Sequence, residues 1–251
     1  MPTPDAPSGA RHYRGLIWRL VEDQARPATM RLVDTLAEQA LLESLLEASK
    51  PVMPTSCAHL HYLLATPFRY PPGRHGSRFR RPFATHGCFY AAERVETAAI
   101  ETGFWQLLFL ADAPGLAWPG HALERRAFSA AVATDHALDL MAPPLDARRA
   151  AWTHPVDYAR CQDFAEAAQA AGIQALRYES VRDPERRANL AVLDAAAFAK
   201  PGPQAQQSWW IFPRAHALQA WCEAPRIRIE IPLAHFAADP RIAALMSSRG
   251  A

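Results

Sequence analysis

The spacing of apolar and polar positions changes several times along the chain, and each change marks an element. Residues 15–22, GLIWRLVE, set Leu16, Trp18 and Leu20 against Ile17 and Arg19, which predicts a strand with apolar groups on both faces. From Pro27 to Ala48 the period becomes helical. Pro27 suits the start, Thr29 a cap, and Leu32, Leu36, Gln39 and Glu43 form one row beside Val33, Ala40 and Leu41, before Lys50-Pro51 ends the run. This helix is expected to pack on the side of the domain. Between Thr66 and Gly87 recurring prolines and glycines predict a long loop, rich in aromatics. CFYAA then reads as a short strand, and Ile100, Phe104, Leu107, Leu108 and Ala111 give a helix over about 96–111.

Further on, AFSAAVAT (127–134) is a strand and DLMAPP a turn, while Pro155 to Ala171 is a helix closed by Gly172. IQALRYES, NLAVLD, SWWIFP and RIRIEIP read as strands. In the last, Ile227, Ile229 and Ile231 alternate with Arg226, Arg228 and Glu230, as in a half-buried strand. Helices and strands are interspersed without a regular βαβ or other repeat, so the expected fold is a mixed α/β (α+β) single domain. A loose N-terminus (1–12), a helical elaboration (27–49), a core (60–200) and C-terminal strands (205–235) complete the expected organisation.

Composition narrows the class. In a chain of 251 residues, 50% hydrophobic and 21% charged positions predict a folded globular protein rather than a disordered one. A net charge of +2 gives no overall footprint for duplex nucleic acid. No signal-peptide pattern or 18-residue apolar run is present, so a cytoplasmic protein without a membrane span is expected. Cys57, Cys88, Cys161 and Cys222 are dispersed and read as buried thiols.

Candidate chemistry gathers in the loop, where Arg69, Arg74, Arg78, Arg80 and Arg81 stand among glycines and prolines. Guanidinium groups grip phosphate oxygens in pairs and glycines admit close approach, so the loop fits either an anionic ligand or an ordinary solvated basic surface. Tyr90 follows on a short strand. Glu101 lies early in the next helix, one position past Ile100 and so turned about 100° from it, able to face a cleft or merely to complement the helix dipole.

Arg78 in GSRF, Tyr90 in GCFYAAE and Glu101 in ETAAIE, followed by Ser180 in RYESVRDP and Asn189 in ANLAVLD, resemble in order and spacing the pattern of the RES-domain family. The resemblance runs from Leu16 to about Phe198 and looks like the long form of the family. Two features depart from it: Phe79-Arg80 stands where many members carry an aromatic-Asn pair, and residues 27–48 and the C-terminal strands exceed a minimal domain.

The resemblance implies a split β-sheet core like that of ADP-ribosyltransferases, flanked by helices, and an NAD-consuming toxin that cleaves the nicotinamide–ribose bond. The acceptor would be phosphate, water or a protein side chain. No metal is expected, and the implied partner is an Xre-type helix-turn-helix antitoxin, through which alone nucleic acid would be met. Arg78 would hold pyrophosphate or attacking phosphate, Tyr90 would stack on nicotinamide or ribose, Glu101 would stabilise the oxocarbenium-like ribose, and Ser180 would hydrogen-bond the substrate. Arg69, Arg19, Ser77 and Asn189 are further ligand-binding candidates. Three other readings remain beside it. His59 and His61 share a strand face but lack a carboxylate cluster for a metal; the arginine loop with Tyr70, Phe79, Phe83 and Phe89 would suit RNA; and Trp209-Trp210 would suit an inactive protein's partner surface.

Overall fold

The computed structural model describes residues 9–22, 32–113 and 115–249. Its centre is a sheet of eight strands in the order β1-β2-β5-β4-β3-β6-β7-β8. The strands are β1 (Arg11–Glu22), β2 (Phe89–Ala92), β3 (Leu123–Asp139), β4 (Ala175–Glu179), β5 (Ala188–Val192), β6 (Ala205–Pro213), β7 (Ala217–Cys222) and β8 (Ile227–Pro232). All pairings are antiparallel except β3 with β4. The sheet is therefore mixed.

Strand β3 is where the sheet divides. One edge pairs with β1 from Tyr13↔Thr134 to Glu22↔Arg125. Its other edge is shared: β6 takes Leu123 to Ser129, and β4 takes Ala137 to Asp139. Because Trp18 of β1 also pairs with Ala92 of β2, the pairings β1-β2-β5-β4-β3-β1 run in a closed circuit, with β6, β7 and β8 extending from it.

Alternation along the strands sends neighbouring residues to different cores. Phe89 and Ala91 join Ile17, Phe128, Ala130, Val132, Leu190 and Val192 in a cluster closed by α2 (Tyr62–Arg69) through Leu64 and Phe68. Ala92, Leu20 and Ala127 instead face α3 (Val95–Asp112), whose Ala99, Ile100, Phe104, Leu107 and Leu108 pack with Trp209 and Leu218. A third cluster lies under α5 (Ala159–Ala170), around Phe79, Trp152 of the one-turn α4 (Arg149–Trp152), Phe164 and Leu176.

Several expectations need correction. The first helix, α1 (Leu36–Ser49), begins at Leu36 because Thr35 and Glu38 form a reciprocal capping box there; the expected cap Thr29 and start Pro27 lie outside the described residues. Nor does α1 pack into the domain. None of its residues is buried, Leu36, Leu41 and Leu45 are exposed, and Arg69 anchors its end by donating Nη1 to Glu47 (2.6 Å) and Nε to the Pro51 carbonyl (2.5 Å). The expected loop from Thr66 opens with the last turn of α2, where Pro67 is accommodated inside the helix. Strand β1 reaches back to Arg11, inside the segment expected to be loose, and β3 continues to Asp139. Pro155 precedes α5 rather than starting it, whereas Gly172 does close it, at φ +77. Strand β7 and helix α6 (Pro240–Arg249) were not anticipated.

All four cysteines are buried and unpaired, and burial pushes the Cys88 thiol up to about 12. Trp209 is a core residue, and Trp210 stacks on Trp221. Among the described residues no helix is long and apolar enough to cross a membrane.

The junction that brings the arginine loop onto β2 depends on Gly87. A Cβ there would sit 2.2 Å from Phe68 Cα and 2.7 Å from the Pro67 carbonyl oxygen, both backbone atoms of α2. Gly87→Ala should therefore lower stability by about 1–3 kcal/mol, the usual cost of overpacking, while Gly120→Ala, with nothing within 4 Å of its Cβ, should leave it unchanged or slightly raised. Urea denaturation midpoints of the two variants check this.

Candidate functional site

Four residues paired laterally across the sheet, Trp18, Ala92, Asn189 and Tyr178, bring β1, β2, β5 and β4 into one row. All four line a cleft of about 520 Å³, together with Arg19, Ser77, Arg78, Arg80, Tyr90, Glu101, Trp105, Tyr158 and Arg182. The row is its floor, α3 one wall, and the loop before β2 another.

Glu101 projects from α3 onto this floor. Its Oε1 accepts from Ser180 Oγ at 2.6 Å and from Asn189 Nδ2 at 2.7 Å. Its Oε2 has no hydrogen bond among the described residues, and neither has Asn189 Oδ1, which is buried. Ser180 is fully buried in the turn after β4, and its oxygen also accepts the backbone N–H groups of Asp183 (3.1 Å) and Arg182 (3.4 Å). Three residues of that turn engage α3 along one face. Asp183 accepts from Thr97 Oγ1 at 2.6 Å, Ser180 reaches Glu101, and the Arg182 guanidinium lies 3.8 Å from the centre of the Phe104 ring. Thr97, Glu101 and Phe104 follow the i, i+4, i+7 rule, so the turn and the helix hold each other along two turns.

Tyr90 anchors the arginine loop. Its hydroxyl lies 2.8 Å from Ser77 Oγ and accepts the backbone N–H of Phe79 at 3.0 Å. Burial raises its pKa far above the ordinary phenol value, so the group is neutral at every physiological pH. Gln162 of α5 closes the same loop by donating to the carbonyls of Ser77 (2.9 Å) and Arg80 (3.1 Å).

The cleft contains four arginines and a single carboxylate. Arg78 Nη1 donates to the carbonyls of Trp152 (2.7 Å) and His154 (3.1 Å), and its guanidinium stacks 4.6 Å from the Tyr158 ring centre. Arg19 donates to the Tyr90 carbonyl at 2.7 Å and lies over Phe89; its burial lowers its pKa from the ordinary arginine value. Arg80 lies 6.0 Å from the Tyr90 ring centre. None of these three pairs with an acid among the described residues, so backbone dipoles and rings hold them without cancelling their charge.

The structure thus brings together Arg78, Tyr90, Glu101, Arg19, Ser77, Asn189 and, behind Glu101, Ser180. Two expectations change. Arg69 is not in the cleft, since its guanidinium is spent on Glu47 and Pro51. Ser180 is not among the residues lining the cleft either; it is fully buried behind Glu101, to which its hydroxyl donates. Trp18, Trp105, Tyr158, Tyr178 and Arg182 also line the cleft without being candidates in the sequence, although Arg182 stands two residues after Ser180 in the quoted motif.

The competing surfaces fare as follows. Phe79 and Phe89 are 1% and 0% exposed, so they offer no face to a nucleobase. His61 caps α2 by accepting from Leu63 N. Among the described residues no group of three or more His, Cys, Asp or Glu is placed to hold a metal.

The RES domain model matches residues 53–212, more than half of the chain. The chain belongs to the RES-domain family. The match begins after β1 and ends within β6, so Trp18 and Arg19 of the cleft, and everything from β7 onward, lie outside it. Among solved structures, a chain of the crystal structure of the M. tuberculosis MbcT–MbcA toxin–antitoxin complex is 14% identical with a TM-score of 0.44, over 79% of this chain and 85% of that one. No curated protein matches.

The Tyr90 hydroxyl is the group on which the loop closes. Tyr90→Phe would leave the buried Phe79 N–H without its acceptor, and should lower stability by about 1–3 kcal/mol. Chemical denaturation of the variant beside the parent protein measures that cost.

Proposed function

We propose that the chain is an NAD-consuming enzyme that breaks the bond between nicotinamide and ribose, and that it acts in the cytoplasm as the toxin of a toxin–antitoxin pair. The observation that carries this reading is Glu101, with one carboxylate oxygen fixed by two donors and the other unengaged among the described residues, in a cleft where arginines outnumber it four to one.

A ligand suited to that cleft carries negative charge in one part and develops positive charge in another. NAD does both. Its pyrophosphate suits Arg78, Arg80 and Arg19, whose charge no acid among the described residues offsets. When the C1′–N bond breaks, nicotinamide leaves with the bonding electrons as a neutral base and the ribose becomes oxocarbenium-like. The unengaged Oε2 of Glu101 faces that charge. A carboxylate about 4 Å from it contributes roughly 4 kcal/mol at an effective dielectric near 20, or about a thousandfold in rate.

Fixing the carboxylate beforehand is the task of Ser180 and Asn189, because a freely rotating acid would lose part of that stabilisation in reorganising. Asn189 Oδ1, buried without a partner, is an acceptor suited to a ribose hydroxyl. The aromatic residues Trp18, Tyr158 and Trp105 give flat surfaces for the nicotinamide and adenine rings. Water or inorganic phosphate completes the reaction at C1′, giving ADP-ribose or its phosphorylated form. The partner would be an Xre-type antitoxin that covers the cleft, and no metal takes part in the steps assigned to these residues.

Pure protein incubated with NAD, with and without phosphate, should release nicotinamide and yield one of those products by mass spectrometry. Glu101→Gln should lower kcat about a thousandfold with the fold kept. Ser180→Ala, which removes one of the two donors to a charged acceptor, should cost about 10- to 100-fold. Nicotinamide release by Glu101→Gln at the parent rate would overturn the assignment, and a modified protein in place of free ADP-ribose would move the acceptor to a side chain.

A further inference from the structure

The family match ends within β6, yet a residue far beyond it reaches the cleft wall. Arg182 lines the cleft and is 4% exposed. Its Nη2 donates to the Pro155 carbonyl at 2.6 Å and lies 3.5 Å from Asp239 Oδ2. Asp239 itself is fully buried, at the head of α6. Its Oδ1 accepts the Arg241 backbone N–H and Nε, both at 3.0 Å, and Oδ2 accepts Arg241 Nη2 at 2.8 Å. From the 3-10 turn before α6, His235 Nε2 lies 3.1 Å from the Arg182 carbonyl oxygen. The 3-10 turn after β8 and the head of α6 therefore hold both the backbone and the side chain of one cleft arginine.

A buried guanidinium is costly unless it is paired, and desolvation lowers the Arg182 pKa from its ordinary value while Asp239 and Glu101 oppose that shift. The arrangement around it is more than neutralisation. Phe104 backs one face of the guanidinium, while Pro155 and Asp239 fix the Nη2 edge. Nη1 and Nε make no hydrogen bond among the described residues. A planar cation fixed at one edge presents its other donors in a set direction, which is what bidentate recognition of a phosphoryl group needs.

We infer that Arg182 is an additional anion-binding residue of the cleft and that Asp239, from the C-terminal segment outside the family match, is its positioning residue. The inference deepens the NAD reading, on which it rests for the identity of the anion as a pyrophosphate. Asp239 makes the site depend on α6. A charge-balance role for Asp239 predicts the opposite sign: deleting a negative charge beside an anion site should tighten anion binding, whereas loosening Arg182 should weaken it.

The probe is inorganic pyrophosphate, titrated calorimetrically into the full chain at fixed ionic strength, so that the outcome does not require turnover. Arg182→Gln should weaken binding about tenfold. Asp239→Asn keeps a capping oxygen for the Arg241 N–H and should weaken it by a similar factor, with the double variant no weaker than Arg182→Gln alone. Arg226→Gln, an exposed arginine away from the cleft, should bind as the parent does. Unchanged or tighter binding by Asp239→Asn overturns the positioning role, and unchanged binding by Arg182→Gln overturns the anion-binding role. With NAD as substrate, Asp239→Asn should raise KM about tenfold and leave kcat within about twofold. Absence of nicotinamide release by the parent protein would count against the NAD reading alone, because pyrophosphate binding is measured separately.

Discussion

The turn that follows β4 grips α3, and the site depends on that grip. Asp183 with Thr97, Ser180 with Glu101, and Arg182 with Phe104 are contacts of different kinds: a hydrogen bond to a buried acid, a charged hydrogen bond and a cation over a ring. They share one direction. Each ties the strand side of the domain to successive turns of the helix that carries the carboxylate, so Glu101 cannot be displaced without breaking contacts on both sides of it. Asn189, from the neighbouring strand, adds the second donor and fixes the carboxylate plane against the sheet.

Around that carboxylate the cleft is electrostatically unbalanced by construction. Arg19 and Arg78 give hydrogen bonds to carbonyl oxygens, which orient guanidinium groups without cancelling their charge. A cleft wall made of ion pairs would be more comfortable empty and less receptive to an anion. Asp239, which lies outside the family match, is the exception: it pairs with Arg182 from the C-terminal segment.

Much of the core was legible because it follows period. The alternation in β8 and the helical spacing in α3 are direct records of burial, and Arg78, Tyr90, Glu101 and Asn189, named in the sequence by their motifs, all line the one cleft. What escaped had competing signals. Thr35 and Glu38 satisfy each other locally and so fix the start of α1 in place of Pro27 and Thr29. The leucines of α1 imitate a core face without meeting one. Arg69 and Arg80 look alike in composition, and only the nearness of Glu47 to one of them separates an anchor of α1 from a residue of the cleft wall. Ser180 stands out in its motif but its pairing with Glu101 does not, since residues 79 positions apart carry no shared local pattern.

The lateral row on the cleft floor also bears on the order in which the molecule can become competent. Trp18, Ala92, Tyr178 and Asn189 come from strands separated by most of the chain, and the row exists only when β5 has inserted between β2 and β4. During synthesis, a ribosome-bound chain that has made Glu101 and the arginine loop still lacks the strand that supplies one of the carboxylate's two donors. A pocket assembled in this way is incomplete in a nascent chain. Its completion arrives late, as a property of the closed sheet rather than of any segment that emerges earlier.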